Sequence, residues 1–261
     1  MTQPASPATA SGSDRLVRVF WRPGCSSCAK VKDYLNSRGI DFISVNVAVD
    51  RDAMTTLATL GIRSVPVVMR GTEFSFAQSL EDVARFLNLP TQAVERLSPA
   101  ELIDRWIYFL GAGKALAMRV PADRWLFAPQ LEVSIQSLTY HALRIPLAFL
   151  ACVEDGVQDW VRVAMEPPSP ETRHEELARL ADEAVDRVNA WWAALPDKTC
   201  AWPVAKYDGT HSAHVFLERQ VWHSAHHLRQ VADALTQLGV DARDVIDPAK
   251  YVGLPMPDRI W

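Results

Sequence analysis

Two groups of side chains in this sequence have the types and spacing for chemistry. The first is the run Trp222-His223-Ser224-Ala225-His226-His227-Leu228-Arg229-Gln230-Val231. At about 100° per residue, His223 and His227 fall within about 40° of each other on a helix, and Gln230 returns to the same stripe. One face then presents two imidazoles and an amide, an arrangement suited to a metal ion. Imidazole is the commonest metal ligand among side chains, but an i, i+4 pair needs at least one more ligand from elsewhere. The second group is Cys25-Ser26-Ser27-Cys28, a thiol pair at the spacing of a redox-active disulfide. The competing reading, half of a zinc site, would need two further ligands nearby. Residues 14–89 contain no histidine and no other cysteine, so the redox reading is preferred.

The chain has 261 residues with 49% hydrophobic composition, enough for one large domain or two ordinary ones with buried cores. Its formal net charge of -4, with no run of Lys or Arg, argues against nucleic acid or an anionic membrane as the main partner. Residues 1–13 are rich in Ala, Ser, Thr and Pro without a basic start and apolar block, so they read as a disordered tail and not a secretory signal. No apolar segment approaches the roughly 18 residues needed to span a bilayer. Four cysteines, two of them scattered, do not form the framework of a small secreted domain, and a reducing cytoplasm is the expected compartment.

The thiol pair must be positioned by the elements around it. Leu16 to Trp21 is β-rich, and Arg22-Pro23-Gly24 turns the chain into Cys25. From Cys28 to Arg38 apolar residues recur at helical spacing, closed by Gly39. Cys25 then sits at a helix N-terminus, where the dipole and free N–H groups favour its thiolate. It is the expected nucleophile, and Cys28 the resolving thiol. Ile40 to Val47 alternates as a strand, Arg51 to Leu60 is helical, Val65 to Met69 is a third strand, Glu73 to Phe76 a fourth, and Ser79 caps a last helix. That order implies a mixed α/β layer structure over residues 14–89.

The segment Val19-Phe20-Trp21-Arg22-Pro23-Gly24-Cys25-Ser26-Ser27-Cys28, with Ser64-Val65-Pro66 downstream, resembles a glutaredoxin of the thioredoxin fold. The resemblance implies thiol–disulfide exchange at Cys25 and Cys28, a cis-proline loop at Pro66, and glutathione held by Arg22 and Val65.

Residues 90–97 read as a linker. Ser98-Pro99-Ala100-Glu101 then supplies N-cap, N1 proline and N3 glutamate for a helix to about Arg119, in which Gly111-Ala112-Gly113 would allow close packing. A second helix, about Leu131 to Ala151, carries His141 on the same stripe as Ile135, Leu138, Ile145 and Ala148. A third runs to about Ala194, and a fourth from after Asp208-Gly209-Thr210 to Leu238. Four helices without a convincing strand give an all-α bundle over residues 98–239, followed by a tail, 240–261, whose packing the sequence does not fix. Phe216 and Ala234 share the stripe of His223 and His227, so that pair faces inward. Buried imidazoles without partners are costly, and a shared ion is a common reason to place three on inward stripes of two helices. For His174, His211 and His214 an ordinary surface role is expected, and for Cys152 and Cys200 a buried, incidental one.

The pattern His223-x-x-His226-His227-x-x-Gln230, with a histidine far upstream, is similar to that of DinB-like four-helix-bundle proteins, some of which are metal-dependent transferases of small thiols. The resemblance implies His141, His223 and His227 as ligands, with His226 and Gln230 as their neighbours. The expected ion is zinc, nickel or iron being the alternatives, and its open coordination position would receive and ionise a thiol. The leading expectation is a thiol S-transferase, with glutathione or another small thiol as cosubstrate and a small organic electrophile as acceptor. The redoxin would exchange thiols or reduce a protein or mixed disulfide in the same pathway. Two alternatives stand beside it: a thiol–disulfide oxidoreductase whose bundle is a docking module, and a non-catalytic metal or redox sensor.

Overall fold

The structure, a computed structural model, describes residues 16–90, 95–129 and 133–260. The expected disordered tail 1–13, residues 91–94 of the expected linker, and Trp261 lie outside them. The chain divides into two compact units, Met1–Thr91 and Gln92–Trp261.

In the first unit the order is β1 (Val17–Trp21), α1 (Ser26–Ser37), β2 (Phe42–Asn46), α2 (Arg51–Thr59), β3 (Val67–Arg70), β4 (Glu73–Phe76) and α3 (Leu80–Phe86). The sheet order is β2-β1-β3-β4, with β1 parallel to β2 and the other pairs antiparallel. Alternation along β1 and β3 sorts side chains to the two faces. Val17, Val19 and Val68 join Val31 and Leu35 of α1 and Val83 of α3, whereas Phe20, Val67 and Met69 join Ala53 and Leu57 of α2. This is the mixed, thioredoxin-like sheet with helices on both faces. Cys25 stands at the N-terminus of α1 as its N-cap, and its sulfur accepts from the Cys28 N–H. Strand β3 starts at Val67 instead of Val65, since Pro66 has no N–H for the ladder and offers only its carbonyl, to Ala77 N.

The second unit is built on α4 (Pro99–Arg119), α5 (Ile135–Val153), α7 (His174–Ala194) and α8 (Ala213–Gln237). Helices α4 and α5 each pack on both α7 and α8, around a core that includes Trp106, Phe149, Trp191 and Phe216. The Ser98 and Glu101 capping box opens α4. Of the two glycines expected to permit close packing, only Gly113 does so. A Cβ there would lie 2.9 Å from Leu143 Cδ2 and 3.0 Å from Leu228 Cδ2, whereas one on Gly111 would meet nothing within 4 Å.

The bundle also carries elements that the helical periodicity does not show. A short helix α6 (Trp160–Ala164) follows α5, and a hairpin of β5 (Pro203–Lys206) and β6 (Gly209–Ser212) precedes α8. The expectation of a strand-free bundle is thereby corrected. Four-residue strands are too short to show a period in sequence. No helix among the described residues is long and apolar enough to cross a membrane.

Candidate redox and metal sites

Cys25 and Cys28 form a disulfide, with Cα atoms 5.2 Å apart. Cys25 is partly exposed at the start of α1 and Cys28 is buried, which makes Cys25 the sulfur that a substrate can reach. The loop before β3 closes over the pair: the Val65–Pro66 peptide is cis, and Val65 O lies 3.8 Å from Cys25 Sγ. Arg22 is exposed next to this surface. The Lys32 ammonium of α1 stands 3.6 Å from the centre of the Trp21 ring, at the end of β1.

The two other cysteines are free and buried. Burial pushes the Cys152 thiol up to about 12 and the Cys200 thiol up to about 11, so neither forms a thiolate near neutral pH. After reduction, iodoacetamide is expected to label Cys25 first, while Cys152 and Cys200 react only in denaturant. Peptide mapping that finds either buried thiol labelled at the rate of Cys25 in the folded protein would contradict this.

In the bundle, α5 and α8 bring His141, His223 and His227 together with candidate ligand atoms all within 4.8 Å of one another. Ring centres are 5.3 Å apart for His141 and His223, 5.0 Å for His141 and His227, and 4.7 Å for His223 and His227. Two of the rings are held by hydrogen bonds. His141 Nδ1 is 2.8 Å from Ala164 O, at the end of α6, and can only donate to it. His227 Nδ1 is 2.7 Å from Gln230 Oε1, while Gln230 Nε2 donates to Ile260 O at 2.7 Å. Each ring thus donates from Nδ1, which in its neutral form leaves the lone pair on Nε2. Among the described residues, His223 Nδ1 is buried without a hydrogen-bond partner. Burial first, and then the neighbouring imidazoles and Arg219, hold His223 well below the usual histidine range, so it is neutral. Three close imidazoles, one of them with an orphaned ring nitrogen, fit a divalent cation.

His226 lies beside this group, its ring 5.9 Å from that of His227. Its Nδ1 accepts from Arg229 at 3.2 Å, and burial, followed by the Arg229 charge, lowers it to about 3. The remaining histidines are part-buried, not simply on the surface: His174 is bonded to Val120 O, His214 to Leu97 O and His211 to Lys206. Of the supports of the cluster, Gln230 was expected beside the ligands, whereas Ala164 and the chain's end were not. Ala164 acts through a backbone carbonyl, which no residue type reveals. The tail folds back on the bundle: Pro257 O and Arg259 O accept from Arg229, and Tyr251 packs on Phe109. The terminal prolines and the Arg229-Gln230 pair were the visible signals, but they do not specify each other.

The first unit thus combines a mixed sheet, a cis-proline loop and a helix-capping Cys-x-x-Cys, the features of a thioredoxin-fold protein of thiol–disulfide exchange. Residues 17–74 match the Glutaredoxin family model. The chain is 40% identical over 55 residues to the glutaredoxin-like protein NrdH of Salmonella typhimurium, covering 21% of this chain and 68% of that protein. Through this unit the chain belongs to the glutaredoxin family. It is also 44% identical over 57 residues, 22% of its own length, to the Gene 56 protein of Mycobacterium phage L5, of which it spans only 55%. Among solved structures it is similar to a DinB-like protein from Bacillus subtilis, with a TM-score of 0.44 and 16% identity, covering 53% of this chain and 91% of that one.

Proposed function

We propose that the helical unit is a metal-dependent thiol S-transferase that uses a small thiol, glutathione first among the candidates, against an organic electrophile. The glutaredoxin unit would serve the same chemistry by thiol–disulfide exchange. The observation that carries the reading is the convergence of His141, His223 and His227, joined in one chain to a Cys-x-x-Cys redoxin. The three imidazoles would hold a divalent ion, zinc by its affinity for sulfur, which when bound would supply the Lewis acidity that lets a thiol ionise near neutral pH. The residues do the rest. Ala164 O and Gln230 fix the tautomers of His141 and His227, and burial keeps His223 unprotonated and available as a ligand.

In the redoxin, the reduced Cys25 thiolate attacks one sulfur of a mixed disulfide and releases the other as a thiol. Cys28 then attacks Cys25, freeing the second thiol and closing the Cys25–Cys28 disulfide. Two electrons pass from the cysteine pair to the substrate disulfide. Family membership also favours the second reading, a thiol–disulfide oxidoreductase with the bundle as a docking module.

The transferase reading is tested with reduced, zinc-loaded protein, glutathione and a panel comprising an epoxide, an enone and an alkyl halide. Free thiol should disappear faster than with His227→Ala, and the thioether should appear by mass spectrometry. Equal rates for wild type and variant on every electrophile would refute it.

A further inference from the structure

One turn before the metal-binding stripe, α8 carries buried charge that the three-histidine cluster does not explain. Arg219 is four residues before His223 and Gln220 three, so the two flank that histidine on one helical face. Arg219 is 8% exposed and its guanidinium carbon lies 4.6 Å from the centre of the Trp160 ring. Beside it, Lys206 pairs with Asp208 at 3.3 Å, the two side chains 2% and 0% exposed, and Asp208 also accepts from Trp160 Nε1. Among the described residues, Asp208 acts on both buried cations, and Tyr207 also acts on Arg219. The field of Arg219 reaches His223. A divalent ion on the histidines would add two more positive charges at low dielectric, an arrangement that is costly until an anion joins it. Gln220 is fully buried, and among the described residues neither its side-chain nitrogen nor its oxygen has a hydrogen-bond partner. An unpartnered buried amide is rare and points to a missing polar group.

We propose that Arg219 and Gln220 form a carboxylate-binding subsite beside the histidine cluster, so that the small molecule brought to the metal is an acid and not a neutral compound. The inference rests on the metal reading above. Arg219 supplies the charge and Gln220 the N–H, and an organic acid bound there returns the buried cluster toward neutrality.

The test uses the full-length protein loaded with cobalt(II), whose visible spectrum reports both the metal and a sulfur ligand. Titration with 3-mercaptopropionate should saturate at a concentration at least tenfold below that for 2-mercaptoethanol, its uncharged counterpart. Arg219→Gln should abolish that preference while leaving the thiol-free cobalt spectrum in place. Arg219→Lys, which keeps the charge, should retain most of it, and Gln220→Leu should weaken it. Equal saturation by the two thiols in wild-type protein overturns the subsite while leaving the metal centre standing. A wild-type protein with no cobalt spectrum at all overturns both.

Discussion

Protein prepared in excess zinc and then dialysed is expected to keep a stoichiometric ion, and His227→Ala to keep none. Structural zinc sites in small peptides bind with roughly 10–16 kcal/mol over four ligands, so each ligand is worth about 3 kcal/mol, or on the order of 100-fold in affinity. His141→Ala and His223→Ala should behave alike, because the cluster offers no spare histidine: His226 already accepts from Arg229. Gln230→Ala should be milder, about tenfold, since it removes the acceptor that orients His227 but not the ligand itself. His174→Ala, remote in role and bonded to a backbone carbonyl, is the control and should not change metal content. Elemental analysis and competition with a chromophoric chelator measure all five. Metal content that is nil in wild type, or equal in the control and the three ligand variants, would remove the cluster as a metal centre.

The second large effect separates thiol–disulfide exchange from the proposed transfer reaction. Cys25→Ser is expected to reduce turnover of a mixed-disulfide substrate to the level of buffer, because Cys25 is the accessible sulfur and serine cannot form the covalent intermediate. Cys28→Ser should instead stall after the first exchange and accumulate a mixed disulfide at Cys25, visible as a mass increase reversed by dithiothreitol. Both variants should retain the thiol-to-electrophile reaction if it resides in the bundle. Loss of that reaction in Cys25→Ser would assign all of the chemistry to the redoxin and leave the helices a docking role.

Local chemistry made much of this legible in advance. The β-rich run before Cys25, the alternation of β2 and the Ser79 cap mark a redoxin because strand period and cap chemistry are short-range properties. The inward stripe of α8 is readable for the same reason: 3.6-residue periodicity places His223 and His227 on one face whatever they meet. That the Cys25 sulfur itself caps α1 is not legible in the same way, since the usual Ser, Thr, Asp and Asn preference does not suggest a cysteine in that role.

By itself, then, the sequence determined two helix-borne or helix-capping reactive groups and the elements that carry them. Tertiary structure decided most of what holds those groups. It placed His141 of α5 across from α8, set the Ala164 carbonyl behind one imidazole, and brought Ile260 back to Gln230 behind another. It also gathered Lys206, Asp208 and Arg219 from a hairpin and a helix into one buried charge cluster. The physical reason is that periodicity encodes which face of an element is buried, whereas the partner across that face is selected by packing between residues distant in sequence. Backbone carbonyls, which supply much of that support, look the same at every position.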